Sequence, residues 1–257
     1  MKEAIIISSH RRSGTHLTID LIQKHFSESR SVKKIGEPMD RLYLNLDALG
    51  NKKHKRCVDY NTAQKILNSC IIPKIKTHKT YSEFSNIESD ILVNLGVDRV
   101  KSIYVVRDVR KVICSLYAYE KGFKTIDLTL DQYFTEEDGA RLLYWAKHVK
   151  SWMNSSNSLI IRFEDVLKNP LSVLDNIRDF IGFKKENYVN PLLPKPWINN
   201  LECYIIGHIS KQPRATTIRG KRKGISLPEI SSLRTETKKI IDCKVGNLLS
   251  ELGYSEF

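Results

Sequence analysis

The sequence predicts an α/β protein, a three-layer sandwich built on a central, mainly parallel sheet. Three short β-branched apolar runs occur, at Ala4–Ser9, Ser102–Arg107 and Ser158–Phe163, each the length of a buried strand. A stretch of helical periodicity follows each of them. Strands that alternate with helices pair in parallel and place the helices on the sheet faces.

Taken in chain order, Ala4–Ser9 supplies the first strand and residues 14–26 the first helix. A helix is expected at about 61–70, leading into a fourth strand candidate, Ile71–Thr77. Pro73 interrupts that run, and a proline without an N–H belongs at a sheet edge or a strand end. Ser102–Arg107 is the next strand, with a helix at 109–121 and another at about 138–155. After Ser158–Phe163 come a short turn at Glu164-Asp165 and a helix at 170–181. Residues 184–230 carry Pro191, Pro194, Pro196, Pro213 and Pro228 with little periodicity, as expected of loops that cover a site. A last helix is expected at about 231–252. There are no repeats, and the whole of 1–257 reads as one domain.

Composition narrows the function. Apolar residues make up 41% and charged residues 28%, as in an ordinary globular protein. No run approaches the roughly 18 apolar residues of a membrane span. The start, Met1-Lys2-Glu3 before four apolar residues, is unlike a signal peptide, and a cytoplasmic protein is expected. Cys57, Cys70, Cys114, Cys203 and Cys243 are scattered without a CxxC spacing, so reduced thiols are expected rather than disulfides or zinc. Cys114, in an apolar helical stretch, reads as packing. Forty-two basic against 29 acidic residues give a net charge of +13. That excess favours nucleic acid, a membrane surface or small phosphate- or sulfate-bearing ligands. The basic residues fall in clusters: Arg11-Arg12, Lys52 to Arg56, Arg107/Arg110, and Arg219 to Lys223. The run 52–56 reads as a solvated loop.

In an open α/β sheet, ligands bind beyond the carboxyl ends of the strands. Arg12-Ser13-Gly14-Thr15 follows the first strand and opens a helix. Gly14 lets backbone N–H groups approach an anion, the helix N-terminus favours negative charge, and Ser13 and Thr15 offer hydroxyls. The Walker pattern is absent: no Lys follows Gly14 and no Gly lies five residues before it. A plain helix cap is the other reading of this loop. Arg107-Asp108-Val109-Arg110 follows the second strand, and Ser115 lies two helical turns further on, so Arg107 and Ser115 suit a second phosphate. An ion pair of Arg107 with Asp108 or Glu120 is the structural alternative. Lys76-Thr77-His78 ends the proline-interrupted run, where a His could serve as general base and a Lys could balance charge on a leaving group.

Together, in this order and spacing, these segments resemble the cytosolic-type sulfotransferases, which use 3′-phosphoadenosine 5′-phosphosulfate (PAPS). The resemblance matches a [KR]-S-G-T loop to Arg12–Thr15, a K-T-H segment to Lys76–His78, and a Y-V-V-R-[DN]-x-[RK]-x-x-x-x-S segment to Tyr104–Ser115. It also matches a Y-E-D-x-x-x-x-P segment to residues 163–170 and a late R-K-G to Arg222-Lys223-Gly224. Its reach is about residues 4–182, with a looser match at 214–224. It implies a P-loop nucleotide-hydrolase-like fold and, by analogy, a bacterial enzyme acting on a carbohydrate or small metabolite through a hydroxyl or amine. It assigns the 5′-phosphosulfate to Arg11, Arg12, Ser13, Gly14, Thr15 and His16, and the 3′-phosphate to Arg107, Ser115 and one or more of Arg219, Arg222, Lys223 and Gly224. His78 becomes the base, with Lys76 and Arg12 stabilising the bridging oxygen and no metal required.

Departures from the pattern are equally specific. Leu17 stands where many relatives carry an adenine-stacking Trp, and Phe163 replaces the Tyr of Y-E-D. Ile225-Ser226-Leu227-Pro228 follows the R-K-G in place of G-x-x-G-x-W. Glu37, in Gly36-Glu37-Pro38, is a rival base, because some carbohydrate and tyrosylprotein sulfotransferases place a catalytic Glu there. A magnesium-dependent P-loop kinase and a basic nucleic-acid-binding module are the competing function classes. The oligomeric state is left at monomer or homodimer.

Overall fold

Ala4, Ile5, Ile6 and Ile7 are wholly buried and form the middle of the first strand, β1 (Glu3–Ser8). Their side chains alternate across the pleat: Ala4 and Ile6 enter one core cluster, Ile5 and Ile7 the other. A strand apolar on both faces belongs inside a sheet. The computed structural model describes residues 2–32, 39–54, 57–122, 126–194 and 227–255. Four further strands are β2 (Leu44–Asn45), β3 (Lys74–Thr77), β4 (Arg99–Val106) and β5 (Ser158–Arg162). They form one sheet in the order β2-β3-β1-β4-β5, every pair parallel, with Ser8 registered against Thr77 on one side and Tyr104 on the other.

The helices are α1 (Thr15–His25), α2 (Tyr60–Leu67), α3 (Tyr81–Asn94), α4 (Val109–Gly122), α5 (Leu130–Met153), α6 (Phe163–Lys168), α7 (Pro170–Ile181) and α8 (Thr235–Glu251). Ile19 and Ile22 of α1 and Val173, Leu174 and Ile177 of α7 pack on one sheet face. Ala63, Phe84, Val112, Trp145, Trp152 and Val245, from α2 through α5 and α8, pack on the other. The three layers expected from the sequence are therefore present. Cys114 is buried in the second cluster, where desolvation pushes its thiol up to about 11.

Several boundaries differ from the sequence expectation for physical reasons. The proline-interrupted run starts its strand at Lys74, because Pro73 has no N–H to give; its carbonyl still accepts the Ile5 N–H at 2.9 Å. β3 is an interior strand, so Pro73 marks a strand end and not an edge. α3 and the two-residue β2 were not expected. α3 opens with a capping box, Thr80 accepting from the Glu83 N–H and the Glu83 carboxylate accepting from the Thr80 N–H at 2.8 Å. α5 starts at Leu130 and is broken where the expected helix was to begin: Glu137, Asp138 and Gly139 have φ of 50°, 53° and 77°. Residues 184–194 form no helix or strand. Glu37, Arg219, Arg222, Lys223, Gly224 and Cys203 lie outside the described residues, as do Lys55 and Arg56.

The chain that leaves β4 runs on to β5, while β1, its neighbour, sends the chain to the opposite side of the sheet, to β2. The crevice beyond the carboxyl end of β1 is the topological switch point, the place where such sheets bind ligands.

Candidate active site

Three loops meet at this crevice. The first leaves β1 at Ser9 and turns through a Ser13 N–H to His10 carbonyl bond of 3.2 Å. Arg12 takes φ 69° and Gly14 φ 104°, both left-handed. At Gly14 a side chain is excluded twice over: by that φ, and because a Cβ would collide with Cδ2 and Cε2 of Phe163. Gly14 is itself the N-cap of α1, and no side chain makes a capping hydrogen bond there. Uncapped N–H groups at such a terminus suit an anion. Ser13 is wholly buried with its hydroxyl unpartnered. The Thr15 hydroxyl is used otherwise. It lies 2.5 Å from Ser9 Oγ, which itself donates to the His10 carbonyl at 2.9 Å, so Thr15 is the donor.

The second loop leaves β4. Arg107 donates through Nη1 to the Arg12 carbonyl at 2.9 Å and stacks on the Phe163 ring at 4.6 Å, while its buried Nε has no partner. Neither ion pair proposed for it forms. Asp108 instead holds Arg110 in a two-pronged bond of 2.8–3.1 Å and accepts the Arg110 N–H, and Glu120 accepts the Tyr133 hydroxyl at 2.8 Å. Ser115, on α4, accepts from Arg12 Nε at 3.1 Å, and the Arg12 guanidinium lies 5.1 Å from the Tyr119 ring centre. Arg12 therefore bridges the two expected phosphate positions, with its side chain on Ser115 and its carbonyl on Arg107.

The third loop leaves β3 with Lys76-Thr77-His78. His78 Nδ1 lies 2.7 Å from the Ser9 carbonyl, which can only accept, so the proton sits on Nδ1 and Nε2 keeps its lone pair. Desolvation, with the Lys76 charge adding to it, pulls the His78 pKa down to about 3 and keeps the ring neutral. His10 beside it is held to about 4, chiefly by burial. Lys76 is buried, and desolvation lowers its pKa against the opposing pull of Asp47.

Other residues at the site were not read from the sequence. Asp47, in the short turn after β2, accepts from the Thr77 hydroxyl and the His78 N–H and lies 3.7 Å from Lys76 Nζ. On α5, His148 Nε2 donates to the His78 carbonyl at 2.9 Å, which leaves its Nδ1 to accept the Tyr104 hydroxyl at 2.9 Å. No local pattern marks Asp47 or His148, because each acts through contacts distant in sequence. His16 packs edge-on to Tyr43 at 5.7 Å, and Leu17 lies at the margin of the α1 core. Arg11 is exposed at the mouth of the crevice. Beside these loops opens a cavity of about 510 Å³, lined by His10, Arg11, His78, Leu116, Arg141 and Tyr144 among others. Among the described residues no cluster of His, Cys, Asp and Glu could hold a metal ion, and no helix is long and apolar enough to cross a membrane.

Comparison with known proteins adds a family to this geometry. A family model described as the sulfotransferase domain matches residues 2–202. The 3-beta-hydroxysteroid sulfotransferase of Cavia porcellus is 29% identical over 91 residues, 33% of this chain and 32% of that protein. Sulfotransferase 2A1 of Rattus norvegicus is 31% identical over 101 residues, 36% of this chain and 35% of that protein. The matched stretch thus spans about a third of each relative's length. Among solved structures, a mouse sulfotransferase complexed with PAP aligns over 98% of this chain and 86% of its own, with a TM-score of 0.58 at 15% identity. A retinol dehydratase in complex with androsterone and the inactive cofactor PAP aligns over 98% and 82%, with a TM-score of 0.54 at 16% identity. At such identities the likeness is one of fold, the three-layer, P-loop-like sandwich.

Proposed function

The chain belongs to the sulfotransferase domain family, and on that premise we propose that it transfers a sulfuryl group from PAPS to the hydroxyl or amine of a small acceptor. The observation that carries the reading is the convergence of three loops at one switch point. One loop has an uncapped helix N-terminus, the second an arginine–serine pair, and the third a neutral histidine with a free lone pair.

The residues fit such a donor. The buried, unpartnered Ser13 hydroxyl and the first N–H groups of α1 suit the 5′-phosphosulfate, with Arg11, His16 and Thr15 around them. Arg107, whose Nε is also unpartnered, and Ser115 suit the 3′-phosphate. Arg219, Arg222, Lys223 and Gly224 remain assigned to that phosphate from the sequence resemblance alone.

The reaction is an in-line displacement. His78 Nε2 takes the proton of the acceptor, the freed oxygen or nitrogen bonds to sulfur, and the bond from sulfur to the bridging oxygen breaks. Adenosine 3′,5′-bisphosphate leaves with the electron pair. Negative charge grows on the bridging oxygen, and Lys76 and Arg12 are the cations that stabilise it. The cavity beside His78 is the acceptor pocket in this reading, with a carbohydrate or small metabolite as its occupant. The reading extends to one domain over residues 1–257 in a cytoplasmic enzyme, either monomeric or homodimeric.

Binding of adenosine 3′,5′-bisphosphate and of ATP with magnesium, measured side by side by calorimetry, tests the donor. Preference for the bisphosphate is expected, and tight magnesium-dependent binding of ATP alone would overturn the proposal. Transfer of label from radiolabelled PAPS to a panel of hydroxyl and amine acceptors then identifies the acceptor. Comparing His78→Ala with Glu37→Gln decides the base: loss of turnover in the Glu37 variant, with His78→Ala active, would move the role to Glu37.

A further inference from the structure

The carboxylate of Asp47 grips all three residues of the Lys76-Thr77-His78 segment at once. Oδ1 accepts the Thr77 hydroxyl at 2.8 Å. Both oxygens share the His78 N–H, at 3.2 and 3.1 Å. Oδ2 lies 3.7 Å from Lys76 Nζ, whose amine also donates to Asn45 Oδ1 at 3.4 Å. The placement follows from the sheet. Asn45 of β2 is registered against Lys76 of β3, so the turn that follows β2 delivers Asp47 to the carboxyl end of β3.

We propose that Asp47 is a positioning residue of the transfer reaction, locking the ammonium of Lys76 and the backbone of His78 into one charge-balanced unit. The inference rests on the sulfuryl-transfer reading, because it assigns Asp47 the task of keeping Lys76 and His78 fit for those steps. Lys76 is only 6% exposed, and a buried ammonium keeps its proton only beside a negative partner. Among the described residues, Asp47 is the carboxylate within ion-pairing distance of it. The other groups facing Lys76 do not replace it: Asn45 is neutral, His78 is neutral, and Arg11 repels the ammonium. Desolvation alone would raise the Asp47 pKa, but the Lys76 charge, with hydrogen bonds from the Thr77 hydroxyl and the His78 N–H, holds it below the ordinary value. Asp47 is thus the anion at the pH values where the reaction would run. A neutral Lys76 could not stabilise a leaving phosphate oxygen, so the alkaline limit of turnover is set by this pair.

The test is Asp47→Asn, which keeps an oxygen to accept hydrogen bonds and removes the charge. Lys76 is followed in the donor-free protein by NMR through its ¹³Cε resonance, identified by its loss in Lys76→Arg. Its titration midpoint is expected to move to lower pH in Asp47→Asn and to return most of the way in Asp47→Glu. With PAPS and an acceptor, turnover should fall about 10- to 100-fold at neutral pH, less than or similar to the loss of a direct charge donor. The alkaline limb of the kcat profile should move to lower pH, while KM for the donor changes little. An unshifted Lys76 titration with an unshifted alkaline limb would overturn the proposal and leave Asp47 as a fold residue. Should Asp47→Asn not fold, the wild-type titration decides: a Lys76 midpoint at or below neutral pH would overturn the proposal, and one well above it would support it. The NMR arm needs no activity, so a wild-type protein that failed to use PAPS would sink the functional reading and still leave Asp47 tested.

Discussion

His78 owes its protonation state to a carbonyl. With Nδ1–H committed to the Ser9 oxygen, the ring presents a lone pair on Nε2, and burial keeps a second proton off until about pH 3. His78→Ala should therefore reduce turnover by about 10²- to 10⁴-fold, while affinity for adenosine 3′,5′-bisphosphate stays near wild type; near-normal turnover would remove His78 as base. The same residue governs acid stability. Its folded pKa lies below the ordinary value of 6.5, so between those values the unfolded chain binds the extra proton and stability falls as pH drops from 6.5 towards 3. Urea denaturation of His78→Gln should show a shallower acid decline than wild type, and an equally steep one would contradict the assigned state. Lys76, His78, Arg107 and Ser115 were legible because each stands at, or two turns beyond, the end of a recognisable strand. Asp47, Tyr104 and His148 were not, since their roles come from hydrogen bonds to residues between 31 and 70 positions away.

At the scale of elements, the turn before α1 and the break in α5 both hold residues in the left-handed region. Gly14→Ala places a Cβ against Phe163 at φ 104°. Destabilisation of at least about 1–2 kcal/mol is expected, together with loss of bisphosphate binding; calorimetry showing wild-type affinity would contradict the cradle. Glu137 at φ 50° is the opposite case, a non-glycine residue where glycine costs nothing sterically. Glu137→Gly should leave thermal stability unchanged or raise it by up to about 1 kcal/mol, although glycine inside a regular helix costs about that much. A clear drop in melting temperature would show that the carboxylate has a structural role. The break explains why only the second part of α5 was legible: four non-helical residues, Glu136 to Gly139, divide the periodic pattern. The capping signal of α3, Thr80 followed three residues later by Glu83, was present in the sequence and could have located that helix. β2, two residues long, carries no period that could be read.

For the whole molecule, the charge of +13 acts at a distance. A donor with three or more negative charges should be drawn in faster than a neutral acceptor. Raising the salt from low to physiological concentration should lower kcat/KM for the donor several-fold and leave that for a neutral acceptor little changed, because salt then screens charges farther apart than about 8–10 Å. Equal salt sensitivity for both substrates would mean that the excess charge does not serve the donor. The overall layering was legible because strand and helix periods alternate, whereas strand order was not, since it depends on which connections cross the sheet. That order has a consequence for how the protein is made. Of the five strands described, β1 comes first along the chain yet lies at the centre of the sheet, and its registered partners in β4, such as Arg99 opposite Glu3, come 96 residues later. At ribosomal speeds of about 5–20 residues per second, Ile5-Ile6-Ile7 stays without one of its edges for on the order of ten seconds. The nascent chain thus carries this apolar segment with one edge unpaired until β4 arrives, and its yield in a cell will depend on what shields that segment in the meantime.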